Sequence, residues 1–215
     1  MKKKILFIIL LILLTTFIVI ISSKLVIVNS LCKKIDKFSN AKNFLYTERT
    51  YTNQTLLIKK VWLDKDNGRV LYKNIQYNPE DGKSITDYSL MSEYGFKDYS
   101  ENSEGEVYLT NYESYATDEK VDYKDTETFN NNISKELENY LKNIFKYSLS
   151  TETINGIKCY KIKGLFDSQI TFIDKETGLI IRTIVKQDNF DEVIDYYYDF
   201  DCVTDKDFEL FENLV

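Results

Sequence analysis

The chain has 215 residues, enough for one domain of ordinary size. Its residues are 43% hydrophobic and 29% charged, a composition typical of a folded protein. The net charge is −6, and without Lys2, Lys3 and Lys4 the remainder has 25 basic and 34 acidic residues, a charge of −9 that argues against nucleic acid as a partner. Histidine is absent, which excludes Ser-His-Asp and Cys-His catalysis and any His-ligated metal site.

A long apolar run follows the basic N-terminal tip. Ile5–Ile21 is interrupted by only two threonines, and about 17 to 20 apolar residues cross a bilayer core. Basic residues before such a run predict a cytoplasmic N-terminus. We therefore expect a cytoplasmic tip at 1–4, an uncleaved transmembrane signal anchor at 5–23, and a single-pass protein of the cell membrane. A cleaved signal peptide and a lipid anchor on Cys32 remain alternatives, although the run is long, lacks a small-residue cleavage site and has Leu31 before the cysteine.

The hydrophobic period changes along the rest of the chain. Leu31, Ile35 and Phe38 recur at helical spacing and predict a juxtamembrane helix at 24–41. From residue 42 the period is two, which predicts a β-rich extracytoplasmic domain over 42–215. Strands are predicted at 43–51, 55–63, 69–77, 84–90, 96–100, 106–112, 154–166, 169–173, 179–186 and 194–200, with turns at 64–68, 78–82 and 174–178.

One amphipathic helix is predicted within the domain. An acidic, polar loop at 118–132 precedes it, and the helix covers Ile133–Leu149 with one apolar stripe. A single stripe has to pack against something, and a sheet face is the available partner. The final strand alternates apolar and polar residues, as expected of an antiparallel sheet with one solvated face. The sequence thus predicts a mainly β, α+β fold behind one transmembrane helix.

The tail of the chain resembles a known family. The similarity is carried by three strings: INGIKCYKI at 154–162, FIDKETGLIIR at 172–182, and a closing YDF at 198–200 with VTDKDF at 203–208. These resemble the LolA-like lipoprotein-carrier and lipoprotein-sorting proteins, in the version found in Gram-positive bacteria, and also the germination lipoprotein GerS of clostridia. The resemblance implies a curved antiparallel half-barrel with helices on its concave face. It also implies binding of lipoproteins or lipids, or non-catalytic support of cell-wall enzymes.

Aromatic side chains near the C-terminus form the candidate binding site. One stripe could line a lipid cavity or simply pack as core, and Tyr197 is expected to face outward among acidic residues as a partner-binding residue. The residues of this candidate ligand- or partner-binding site are Tyr160, Ile162, Phe166, Tyr196, Tyr197, Tyr198 and Phe200. Two function hypotheses follow: a scaffold that binds an envelope protein, or a binder of lipid or lipoprotein acyl chains.

The remaining candidates are weaker. The stretch 64–68 resembles the start of a calcium loop, but its glycine and its acidic spacing are wrong, so a turn is expected. Cys159 and Cys202 could form a disulfide or remain two packed thiols. The acidic stretch 118–127 could dock a basic partner or be a solvated loop. We expect no enzyme activity, cofactor or metal site; homo-oligomers formed by sheet-edge pairing remain open.

Overall fold

The computed structural model describes residues 2–39, 41–52, 55–78, 80, 82–92, 95–114, 143–164 and 168–213. The elements are α1 (Lys2–Ser39), β1 (Asn43–Tyr51), β2 (Leu56–Asp64), β3 (Arg69–Asn78), β4 (Lys83–Ser92), β5 (Gly95–Glu101), β6 (Val107–Ser114), a 3-10 helix (Ile144–Lys146), β7 (Tyr147–Ile154), β8 (Ile157–Gly164), β9 (Gln169–Asp174), β10 (Ile180–Lys186), β11 (Asp191–Phe200) and α2 (Lys206–Asn213). The strands belong to one unclosed antiparallel sheet that ends at β6 and β7. The predicted fold class, mainly antiparallel β behind an N-terminal apolar helix, is confirmed.

The chain divides into two compact units. The first contains residues 1–39 and 129–179, and the second contains residues 40–128 and 180–215. In the first unit, β8 pairs with β7 on one side and β9 on the other. In the second, the strand order is β6-β5-β4-β3-β2-β1-β11-β10.

Helix α1 has two parts with different surroundings. From Ile5 to Ile20 its large apolar side chains are 49–68% exposed, and the helix is long and apolar enough to cross a membrane. Farther along, Val28, Leu31 and Ile35 are buried. They recur every three to four residues, so they form one stripe along the helix. The first part of this continuous helix therefore exposes its apolar side chains, whereas the second part packs against the protein.

The buried stripe of α1 lies against the turn that follows β9. Gly178 in this turn has φ +81, and a β carbon built there would lie 3.1 Å from the Leu31 carbonyl oxygen and 3.3 Å from Ile35 Cγ1. The Lys34 ammonium donates to the Lys175 carbonyl oxygen of the same turn. The turn is held from within by Asp174, whose carboxylate accepts from the Thr177 hydroxyl at 2.6 Å. This contact joins the helix to the rest of the first unit.

Strands β7 and β8 form a hairpin of which only the second strand was predicted. Asn155 and Gly156 have φ 49 and φ 84, the positive values that a two-residue hairpin turn requires. The predicted strand at 154–166 corresponds to β8, which begins three residues later because the chain reverses after Ile154. The hairpin also corrects the predicted helix Ile133–Leu149: residues 133–142 lie outside the described part of the chain, 144–146 form a 3-10 helix, and Leu149 belongs to β7.

The second unit has a core between its sheet and α2. Phe208 and Phe211 of α2 are 0% and 5% exposed, and they pack in one cluster with residues from β3, β4 and β5. The ring of Phe211 lies 4.9 Å from that of Tyr88 and 5.3 Å from that of Tyr99. The remaining buried members of the cluster are Leu71, Leu90 and Val203.

Helix α2 was not predicted, although the sequence contains its start signal. The Asp207 carboxylate accepts from the Thr204 N–H at 2.8 Å and from the Thr204 hydroxyl at 2.9 Å. Ser or Thr three residues before an acidic side chain is typical of a helix N-terminus. The helix has only eight residues, too short for hydrophobic periodicity to reveal it.

Candidate functional site

Three of the predicted aromatic residues form a cluster on β11. Tyr196, Tyr198 and Phe200 alternate on one face of this strand, and the register of β1 places Phe44 and Tyr46 beside them. Ring centroids are 5.6 Å apart for Tyr46 and Tyr198, 6.1 Å for Tyr46 and Tyr196, and 6.0 Å for Phe44 and Phe200. The two β1 members were not predicted as site residues, although their alternation in the sequence already indicated that they share a face.

Two hydroxyl groups of this cluster donate hydrogen bonds within the protein. Tyr46 is 6% exposed and donates to Glu48 Oε2 at 2.9 Å. Burial, reinforced by the Glu48 charge, raises the pKa of Tyr46 far above its usual range. The Tyr198 hydroxyl donates to the Ile180 carbonyl oxygen at 2.9 Å. Tyr46 and Tyr198 are therefore hydrogen-bonded within the protein, as is usual for buried polar groups.

The other predicted site residues lie elsewhere. On β8, Ile162 is 3% exposed, and the ring of Tyr160 lies 4.7 Å from the Lys175 ammonium. Phe166 lies outside the described residues. Tyr197 is 45% exposed on the outer face of β11, as expected, but the Arg49 guanidinium lies over its ring at 5.0 Å.

The outer face of β11 is less open than the alternation predicted. Asp195 is only 8% exposed, because Arg182 on the neighbouring strand holds it with two bonds of 2.5 and 2.9 Å. The direct hydrogen bond to Asp195 raises the pKa of Arg182 against the opposing effect of burial. Its neighbours Tyr197 and Asp199 are exposed, so the expected solvated face is real only in part.

Two cavities lie in the second unit. One, of about 320 Å³, is an open groove bordered by Leu57 and Ile85, whose side chains are 40% and 62% exposed, together with polar groups of β1 to β4. The other, of about 480 Å³, is bordered by Arg69, Lys97 and Tyr112 among others. None of the six predicted site residues that the structure describes lines either cavity.

The first unit presents an edge strand. Strand β7 pairs only with β8 among the described strands. Five of its eight side chains are exposed, and they are almost all hydroxyl-bearing: Ser148, Ser150, Thr151, Glu152 and Thr153. Glu152 supplies the strand's one charge and is bound to Lys161 of β8 at 2.8 Å.

The three cysteines are reduced thiols. Cys159 is fully buried, and burial raises the pKa of its thiol, which keeps it in the unreactive protonated form. Cys202 is half-buried with a raised pKa for the same reason. This arrangement corresponds to the alternative of two packed thiols.

The turn at 64–68 is held by the side chain of Asp64, one of its two acidic residues. Asp64 accepts from the Asn67 side chain at 2.8 Å and from Arg69 Nε at 3.0 Å, and residues 65–68 form the β2–β3 turn, as expected. In the described part of the chain, no group of three acidic, cysteine or histidine residues is arranged to hold a metal ion.

No protein-family model and no curated protein sequence matches this chain. An uncharacterized conserved protein from Thermus thermophilus is similar in structure, with TM-score 0.43 and 9% identity over 84% of this chain and 91% of that one. A DUF1329 family protein from Desulfovibrio piger has TM-score 0.32 and 15% identity, over 85% and 95%. A chain of the Pseudomonas aeruginosa MucA/MucB complex has TM-score 0.39 and 12% identity, over 86% and 60%. At these scores the likenesses assign no function, and the resemblance to GerS stays a prediction.

Proposed function

We propose that this chain is a membrane-anchored, non-catalytic binding module on the outer side of the cell membrane, and that it holds an envelope protein by strand addition to β7. The observation that carries the proposal is that one side of β7 has no strand neighbour among the described residues, and β7 lies in the same unit as the apolar helix α1. An open strand edge is a ready template for an extended segment of another protein.

The hairpin turn determines which backbone groups of β7 are open. Ile154 and Ile157 flank the two-residue turn, and residues that flank such a turn exchange both backbone hydrogen bonds. Counting back along β7 from Ile154, every second residue therefore forms backbone hydrogen bonds with β8: Glu152, Ser150 and Ser148. The residues between them direct N–H and C=O away from β8: Tyr147, Leu149, Thr151 and Thr153.

Helix α1 supports this assignment and limits the open edge. The Lys24 ammonium donates to the Tyr147 carbonyl oxygen at 2.8 Å, so that carbonyl does point away from β8. Lys24 lies just past the apolar run of α1. The open edge therefore begins where the helix leaves the membrane, and it extends over Leu149, Thr151 and Thr153.

In its own sequence and register, strand β7 lacks several features that usually protect an edge. Natural edges are blunted by Lys, Pro, bulges or very short strands. Strand β7 has eight residues, no Lys and no Pro, and its register with β8 is unbroken. The opposite end strand, β6, has a register shift against β5 between Asp98 and Tyr99. Of the two end strands, β7 is thus the better template for a partner.

The proposal is tested with a photo-crosslinking amino acid at Thr151 in native membranes. We expect a protein adduct that is lost in Thr153→Pro, because proline removes an outward N–H without touching the bonds to β8. The matched control Thr153→Val retains that N–H and should retain the adduct. Circular dichroism confirms that both variants are folded. An adduct that survives Thr153→Pro, or one that contains only a second copy of this chain, contradicts the proposal.

The groove of about 320 Å³ favours a second candidate function, the binding of lipid or lipoprotein acyl chains. Leu57 and Ile85 present apolar surface at its border, and apolar pockets of several hundred Å³ are typical of small-ligand sites. A crosslinker at Ile85 separates the two functions. Lipid adducts at Ile85 with no protein adduct at Thr151 would favour the acyl-chain binder.

A further inference from the structure

An exposed phenylalanine stands beside the apolar part of α1. Phe145, in the 3-10 helix before β7, is 61% exposed. Its ring stacks on that of Phe17 with centroids 5.9 Å apart and planes at 21°. Both residues belong to the first unit. A large ring this exposed is unfavourable in water, so its position next to the helix requires an explanation.

The helix itself sets the depth of Phe145. Phe17 lies four residues before Ile21, the end of the apolar run, which is about 6 Å along the axis at 1.5 Å per residue. The stacked ring of Phe145 lies at the same level. Interfacial segments bury their apolar faces roughly 5–10 Å into a bilayer, and the level of Phe145 falls within this range.

We infer that Ile144–Lys146 enters the outer leaflet of the membrane, with the Phe145 ring among the acyl chains beside α1. The occupant of this surface is lipid, since the surface continues the apolar side of α1 at Phe17. The inference rests on the proposed anchoring of α1, and it adds a second membrane contact made by the domain itself.

The polar groups around Phe145 fit this position. Lys146 is exposed, and Lys24 lies three residues beyond the apolar run, bonded to the Tyr147 carbonyl oxygen. Ammonium groups on apolar stems are stable where acyl chains meet phosphate headgroups. Ser148, the next exposed residue, is polar. Polarity therefore rises from Phe145 to β7, as it does on leaving a bilayer.

This contact would fix the orientation of the proposed binding edge. A unit held in the membrane by one helix can tilt relative to the bilayer, whereas a second contact at Phe145 restricts that tilt. The open residues of β7 then begin at the headgroup layer. A partner strand would have to come from a segment close to the membrane.

Depth-dependent fluorescence quenching tests the inference. The full chain is placed in phosphatidylcholine vesicles whose acyl chains are brominated near the headgroup. Phe145→Trp, Phe17→Trp and the control Leu210→Trp are compared with the parent, in which Trp62 packs against the core of the second unit. Leu210 is exposed to a similar extent as Phe145, at 53% against 61%, and it lines neither of the two cavities described above. We expect Phe145→Trp to lose at least half the emission fraction that Phe17→Trp loses, and Leu210→Trp to lose no more than the parent.

The outcomes separate this inference from the anchor. Quenching of Phe17→Trp without quenching of Phe145→Trp overturns the inference and leaves the anchor intact, and it would indicate that Phe145 serves a protein partner. Failure of both to be quenched overturns the anchor as well. Photo-labelling of the unaltered chain by a carbene probe on the acyl chains gives a second readout. Labelling at Phe145 supports the inference, and labelling confined to α1 contradicts it.

Discussion

At the residue scale, Arg69 joins α2 to the β2–β3 hairpin. Its guanidinium binds Asp64 at 3.0 and 2.9 Å and Glu212 at 2.8 Å, and it also contacts Asp205. It lies over the ring of Phe208 at 4.2 Å. Burial lowers the pKa of Arg69, but the hydrogen bonds to its carboxylates more than compensate and raise it. The side chain of Arg69 thus links α2 to the β2–β3 hairpin within the second unit.

Replacing Arg69 should be costly. Arg69→Met leaves Asp64 buried at 6% exposure without its cation, and breaking a buried ion pair from one side costs about 3–5 kcal/mol. Urea unfolding of the detergent-solubilised chain measures the loss. Arg49→Met is the control, because Arg49 is exposed and contributes mainly a cation–π contact to Tyr197, worth about 0.5–1 kcal/mol. Equal losses for the two variants would show that Arg69 does not join these elements.

Asp64 should make stability depend on pH in the acid range. Burial raises its pKa, but hydrogen bonds from Asn67 and Arg69 outweigh burial and lower it below the ordinary 3.8. Its contribution is therefore complete above the unfolded-state pKa and is lost as pH falls through the lower folded-state pKa. The free energy of unfolding should fall below about pH 4. The fall should be smaller in Asp64→Asn, because this variant has no carboxylate to protonate at position 64. If the free energy of unfolding falls equally at acid pH in both proteins, this role of Asp64 is contradicted.

At the element scale, the contact between α1 and the β9 turn depends on Gly178. Gly178→Ala adds a methyl group 3.1 Å from the Leu31 carbonyl oxygen in a residue with φ +81. Gly156→Ala has nearly the same φ, +84, and open space around it. A non-glycine residue with positive φ costs of order 1–3 kcal/mol in both variants. The difference between their losses of stability therefore measures the contact with α1. We expect Gly178→Ala to unfold at lower urea concentration; coincident curves would show that α1 is not packed there.

The accuracy of sequence interpretation also varied by element. Strands β1 to β6 were predicted within about two residues, because their period-two patterns are bounded by Asn, Asp and Gly turns. The β7–β8 hairpin was missed, although Asn155-Gly156 is a strong turn signal. The apolar residues Ile144, Phe145 and Leu149 fit a helical period by coincidence, and this period concealed the start of β7. Helix α2 was too short for any period.

At the scale of the whole molecule, sequence patterns could not predict which strands are neighbours. Strand β1 lies beside β11, and this non-local pairing brings Phe44 and Tyr46 to the C-terminal aromatic residues. The sequence also could not predict which strands lie at the ends of the sheet, because that depends on the complete strand order. The apolar segment Ile5–Ile21, in contrast, is visible from composition alone, because its apolar character does not depend on a partner in the chain. The proposed binding edge therefore emerges only from the structure.

Backbone hydrogen exchange on β7 tests the central claim most directly. The chain is compared in native membrane vesicles and, purified, in lipid nanodiscs. Strand addition predicts that the amides of Leu149, Thr151 and Thr153 exchange more slowly in native membranes, because a partner strand accepts their hydrogen bonds. The amides of β6 should exchange equally in both. Equal exchange of the three β7 amides in the two preparations, or protection that appears on β6 instead, would contradict a partner-binding edge at β7.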